Sequence, residues 1–131
     1  MCSSDLPQFY QEHGGAVISF AIDKYVYIHI KRHDDLFQER YRISYSDTEN
    51  CDSRDKIQNN LIRCSLEFLD IDAPLQISMS SDLPTRSGLG SSSSLLVAIL
   101  QGLHELNGES TTPKQLAEEA FIIEKIGRAH V

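Results

Sequence analysis

The chain has no tryptophan, only three cysteines, and a deficit of positive charge. Among its 131 residues, 12 Lys and Arg stand against 19 Asp and Glu, for a net charge of −7. Each shortage closes off a class. Cys2, Cys51 and Cys64 are an odd number without metal-ligand spacing. That argues against a disulfide framework or a zinc site and for reduced thiols in a cytoplasmic protein. The acidic balance leaves no electrostatic footprint for nucleic acid. No apolar run approaches the length of a membrane span. No basic segment followed by an apolar run marks a signal peptide. The remaining composition, 40% hydrophobic and 24% charged, is that of an ordinary globular domain of modest size.

Periodicity supplies the elements. Val17, Ser19 and Ala21 oppose Ile18, Phe20 and Ile22; after Asp23-Lys24, Val26, Ile28 and Ile30 oppose Tyr25, Tyr27, His29 and Lys31. Two period-two runs predict two strands, with Asp23-Lys24 as the turn between them. His33-Asp34-Asp35 marks a further turn, Arg40 to Ser46 another strand, and Leu75 to Ser80 a short one. Ile57, Leu61, Cys64 and Phe68 recur at helical spacing across residues 57–69. Leu95 to Leu106 is apolar nearly all round and predicts a buried helix stopped by Gly108. Thr112-Pro113-Lys114-Gln115 carries an N-cap, a first-turn proline and a capping box, so a last helix runs to about Lys125. Strands come before helices, which predicts an α+β domain.

The chemistry concentrates in the run from Ser81 to Ser94, SDLPTRSGLGSSSS, which leads directly into the apolar helix. Glycines allow close approach of backbone to a ligand. A helix start offers unpaired N–H groups and the positive end of the macrodipole, which together bind phosphate. Four serines add hydroxyls for phosphate oxygens or a magnesium ion. No Lys follows Gly90, so this is not a Walker A loop, and the third Gly of the dinucleotide fingerprint is missing. A flexible Gly/Ser loop is the competing reading. A second candidate is Glu124. On the last helix Leu116, Ala117, Ala120, Phe121 and Ile123 form one apolar face, with Glu124 near its middle and Glu118 and Glu119 towards solvent. A carboxylate on an apolar stripe is paired, metal-bound, or exposed where the helix frays.

Pro84, Gly88, Leu89, Gly90 and the serines that follow resemble the nucleotide-binding signature of the GHMP kinases. Upstream, Asp5 to Tyr10, Gly14 to Val17 and Ala21 to Tyr27 resemble the heptose 7-phosphate kinase branch. The resemblance covers about residues 7–125 and implies an N-terminal ATP-binding domain with the ribosomal protein S5 domain 2-like fold, truncated at both ends. It implies ATP and Mg²⁺ as cofactors and a sugar phosphate as acceptor. Pro84, Ser87, Gly88, Leu89, Gly90, Ser91, Ser92 and Ser93 would hold the ATP phosphates, Ser92 and Glu124 the magnesium, and Asp5 and Arg86 the substrate. Arg86 reads equally as a solvated loop residue. A fucose- or galactose-type kinase of the same family, or a phosphate-binding module without catalysis, are the alternatives. The Asp that activates the acceptor in the family has no counterpart here, so the chain as given is expected to be inactive as a kinase. Residues 1–6 and 126–131 can be encoded by complementary sequencing-adapter strings, which predicts non-native ends. Of the histidines, His13, His29, His33 and His104 lack metal spacing and read as surface or edge residues; the Tyr25, Tyr27 and His29 stripe reads as an ordinary sheet face.

Overall fold

In the computed structural model, residues 16–18, 20–33, 39–84 and 90–129 are described. Strands β1 (Val26–Arg32), β2 (Tyr41–Ser44), β3 (Thr48–Cys51) and β4 (Leu75–Ser81) form one sheet in the order β1-β4-β2-β3. β4 runs antiparallel to β1 and parallel to β2, and β2 pairs antiparallel with β3. The register sorts the side chains into rows. Ile30, Ile77 and Ile43 align on the inner face, and beside them Leu75 and Tyr41. Lys31, Gln76, Arg42 and Asn50 align on the opposite, polar face. Helices α1 (Asn60–Phe68) and α2 (Ser91–Leu106) cover the inner face, and α3 (Pro113–Ala129) packs on those two helices. The domain is α+β, as its sequence predicts.

The helix boundaries have local causes. Asn59 caps α1 by accepting from the Ile62 N–H at 3.2 Å. Past its C-terminus, Asp70 takes a left-handed conformation (φ 52), while the Asp70 and Ile71 N–H groups reach the Glu67 and Leu66 carbonyls. Arg54, in a short 3-10 turn, donates to the Leu66 and Ile71 carbonyls at the same end. α2 ends in the same motif. Gly108 (φ 75) bonds the Glu105 carbonyl and Glu109 the His104 carbonyl. Thr112 Oγ1 accepts the Gln115 N–H and opens α3, as the Thr-Pro start predicts.

Two buried clusters result. One lies between the sheet and α1 and α2, with Tyr41, Ile43, Ile77, Ile99 and Leu103 fully buried. The other joins Leu96 and Leu100 of α2 to Leu116, Ala120 and Ile123 of α3. α2 also crosses β1 closely at Gly102, where a Cβ would come within 2.8 Å of Ile30 Cδ1. Glu49 of β3 sits in the inner row beside Ile43. Its carboxylate accepts from the Gln58 and Asn59 N–H groups (2.6 and 3.0 Å) and from the Tyr45 hydroxyl (2.6 Å), tying β3 to the head of α1. Burial pushes this carboxyl up, but the hydrogen bonds and the Arg63 cation outweigh it and hold it below its ordinary value. The same hydrogen bond drives the Tyr45 hydroxyl up to about 12.

Four expectations are corrected. The run 17–22 is not a strand at any of its described residues, and Val17, Ile18 and Phe20 are largely exposed. Alternation alone makes no strand without a ladder partner and a face to bury. Asp23-Lys24 therefore joins no pair of strands. β3 was not anticipated, because Thr-Glu-Asn-Cys has no apolar alternation. α3 runs four residues beyond Lys125, since Ile126 and Gly127 continue the helix, with Gly127 packed within reach of Asn60. The turn expected at Asp34-Asp35 lies outside the described residues. Among the described residues, no helix is long and apolar enough to cross a membrane.

Candidate functional site

The first turn of α2 distributes its four serines around the helix. At about 100° per residue, Ser91 and Ser94 share one side, while Ser92 and Ser93 point elsewhere. Gly90 precedes them in a left-handed conformation (φ 74), and its carbonyl accepts the first helical bond, from the Ser94 N–H at 3.0 Å. The N–H groups ahead of Ser94 have no helical partner by construction and constitute the polar head of the helix. Of the other residues predicted here, Pro84 is exposed. Arg86, Ser87, Gly88, Leu89 and Asp5 lie outside the described residues.

Ser93 faces α3. Its hydroxyl donates to Glu124 Oε1 at 2.8 Å. Ser92, which the family resemblance pairs with Glu124, is exposed one position earlier on the helix. The observed hydroxyl–carboxylate pair is therefore Ser93 with Glu124. Both are half-buried, at the open end of the seam between α2 and α3.

Ser91 and Ser94 face the opposite way, into a cavity of about 260 Å³. Among the described residues, Lys24, Ser81, Phe20, Ile22, Tyr25 and Leu83 also line it. Lys24, which the sequence assigns to a turn, thus lines the same cavity as the serines. Beside it Asp82 fixes the entry to β1. Its Oδ2 accepts the Tyr25 N–H at 3.0 Å and the Tyr27 hydroxyl at 3.4 Å. The Asp82 charge raises the exposed Tyr27 hydroxyl above its ordinary value.

The face of α3 that meets α2 also differs from its predicted pattern. Leu116, Ala120, Ile123 and Gly127 are buried, whereas Ala117 and Phe121 are exposed. Glu119, expected towards solvent, is turned inward with its side chain 13% exposed. His104, expected at the surface, is 5% exposed, and His33 is 7% exposed. His104 Nε2 lies 2.6 and 3.0 Å from the two Glu119 oxygens, and its Nδ1 lies 3.6 Å from Glu109 Oε1. Sequence reasoning missed this pair. The available signal was the spacing of His104 eleven residues after Ser93, three helical turns along one stripe with Leu96 and Leu100. Cys51 and Cys64 are free and buried, and burial raises both thiols. Among the described residues, no group of three or more His, Cys, Asp or Glu is disposed to hold a metal.

Residues 59–130, more than half of the chain, match the family described as the GHMP kinases N terminal domain. The chain belongs to the GHMP kinase family. The matched stretch starts at the Asn59 cap and carries α1, β4, α2 and α3, and with them Gly90, Ser93 and Glu124. Members of this family are ATP-binding kinases, which transfer a phosphoryl group and generally use ATP with Mg²⁺. No curated protein matches the chain significantly.

Proposed function

We propose that this domain binds the phosphates of ATP at the head of α2 and holds the accompanying Mg²⁺ between Ser93 and Glu124, for phosphoryl transfer to a sugar phosphate. The observation that carries the reading is the 2.8 Å hydrogen bond from Ser93 to Glu124 at the start of a sixteen-residue helix. The donor set fits the ion. Magnesium takes oxygen ligands, keeps several waters, and needs only one or two protein groups beside phosphate oxygens. A hydroxyl and a carboxylate already in contact supply those two. Bound there, the ion would neutralise charge on the transferring phosphoryl group.

The chain's own residues do the rest. The free N–H groups at the head of α2 and its dipole favour the polyphosphate. Lys24, Ser91 and Ser94 line the adjoining cavity with donors. Phe20, Ile22 and Leu83 add apolar surface to that cavity. Glu124 stays hydrogen-bonded and in place before any ligand arrives, which lowers the reorganisation needed on binding. The heptose 7-phosphate branch is the acceptor class that the upstream resemblance supports. Asp5 and Arg86 are the residues proposed to meet it.

Titration with a fluorescent ATP analogue tests the reading, with and without Mg²⁺. The wild-type chain binds ATP more tightly when Mg²⁺ is present. Glu124→Gln loses about tenfold of the metal-dependent gain and little of the metal-free affinity. Equal affinity with Mg²⁺ and with EDTA, or an unaltered gain in Glu124→Gln, overturns it. Phosphorylation of a heptose 7-phosphate over other sugar phosphates, by a chain that supplies the acceptor-activating Asp, tests the substrate class.

A further inference from the structure

The seam between α2 and α3 has an apolar middle and two polar ends. Leu96 and Leu100 pack on Leu116, Ala120 and Ile123 in the middle. Ser93 bonds Glu124 at one end, and His104 bonds Glu119 at the other. The middle is non-directional: leucine, isoleucine and alanine surfaces hold two helices together but tolerate small slides and turns better than a hydrogen bond does. A shift of one residue moves α3 by about 1.5 Å along its axis and about 100° around it. Either motion takes Glu124 out of hydrogen-bond range of Ser93, since that range spans only a few tenths of an ångström. Directional contacts along the seam therefore sharpen a register that packing alone sets more loosely.

Of the two polar ends, only one is sealed. His104 is buried, its side chain 6% exposed, and both Glu119 oxygens meet its Nε2. A short contact from one nitrogen to both oxygens holds the head of the Glu119 side chain against the ring. Glu119 precedes Glu124 by five residues on the same helix, about 7.5 Å along the axis. A rigid helical segment joins the two, so the position of Glu119 dictates that of Glu124.

We propose that His104 is a positioning residue for the magnesium-binding carboxylate: by clamping Glu119 it sets the register of α3 and holds Glu124 against Ser93. The proposal rests on the Mg²⁺ and ATP reading above. It assigns His104 no contact with nucleotide or metal. The clamp is worth more to ligand geometry than to folding, because a buried polar pair is often replaceable by apolar groups without loss of stability.

The test measures the Kd of a fluorescent ATP analogue in Mg²⁺ and in EDTA, with thermal melts alongside, on the full chain. The gain is the ratio of the two Kd values. In His104→Leu, which leaves Glu119 without its partner, and in the paired replacement His104→Leu with Glu119→Leu, which keeps the seam filled, the gain falls by about tenfold. The metal-free Kd stays within about twofold of wild type, and the paired replacement melts within a few degrees of it. His104→Gln, which retains an N–H donor, recovers most of the gain. A wild-type gain in the paired replacement overturns the proposal, and so does a parallel loss of both affinities, the mark of a merely structural role. The two readings fail separately. If wild type shows no gain at all, the metal site itself falls. If wild type and Glu124→Gln behave as stated while the paired replacement keeps the gain, only the role of His104 falls.

Discussion

Gly90 and Gly108 bound the same helix, and a single substitution made at each separates strain from function. Both adopt left-handed backbone, φ 74 and φ 75, and a Cβ at either would meet nothing within 4 Å among the described residues. Alanine therefore introduces no clash at either end. Its whole cost is the conformation, about 1–2 kcal/mol for an L-residue in this region. A smaller unfolded-state entropy offsets that by about 0.4–1 kcal/mol. The net is about 1 kcal/mol at each site, or a fall of about 4 °C in Tm for a domain of this size. Gly108→Ala stops there, because it lies at the far end of α2, past its last turn. Gly90→Ala carries a second effect. To the extent that the head escapes this cost by relaxing in the free protein, the fall in Tm is smaller and ATP must restore the original conformation. That cost weakens ATP binding by about fivefold or more, since 1.4 kcal/mol is a factor of ten. Asparagine, which tolerates left-handed backbone, is milder than alanine at both positions. The assay is a melt of each variant followed by ATP-analogue titration at a temperature where all are folded. Equal losses of affinity in the two alanine variants, or none in Gly90→Ala, would refute the argument that the head of α2 is the phosphate site.

Other expectations concern stability. Asp70 holds left-handed backbone at the end of α1 and contributes only a loose, exposed ion pair with Arg54 at 3.7 Å. Asp70→Gly therefore raises Tm by about 2 °C, a gain of about 0.5 kcal/mol; a lower Tm would show that the ion pair matters more than the strain. Glu49→Gln weakens the tie between β3 and α1 by about 1 kcal/mol near neutral pH. The Glu49 carboxyl is held below its ordinary value in the fold, so its contribution is complete above the unfolded value of about 4.3 and disappears as pH falls through the folded one. Asp72 acts in the same direction: the hydrogen bond from Tyr41 lowers its carboxyl, and the nearby Arg40 helps. Denaturant melts from pH 7 to pH 3 should show wild type and Glu49→Gln converging. A difference that stays constant across that range would exclude the carboxylate as its source.

The parts of this fold that were legible in the sequence are those where one residue's chemistry determines one local outcome. The Thr112 cap, the Gly108 stop and the β4 alternation each depend on atoms a few residues apart. The family signature at Gly90 to Ser94 is likewise local, a loop and the helix that it opens. The rest is set by what lies across a gap. The residues around 17–22 alternate as a strand does, but alternation cannot reveal whether a neighbour exists to pair with. The serine that meets Glu124 follows from the angle at which α3 crosses α2, and a turn of 100° exchanges Ser92 for Ser93. His104 and Glu119 were both assigned to the surface because charge ordinarily belongs there. His104 is buried and Glu119 turns inward to meet it. On separate helices neither reveals its partner, and a period of 3.6 residues places Glu119 off the apolar face altogether. Buried polar pairs of this kind escape sequence patterns because the pattern records which face is apolar, whereas the pair records how two faces are registered. Registration between α2 and α3 is also what brings Ser93 to Glu124. Among the described residues, the His104–Glu119 contact is thus hard to read from sequence, although it lies on the same two helices as the Ser93–Glu124 pair.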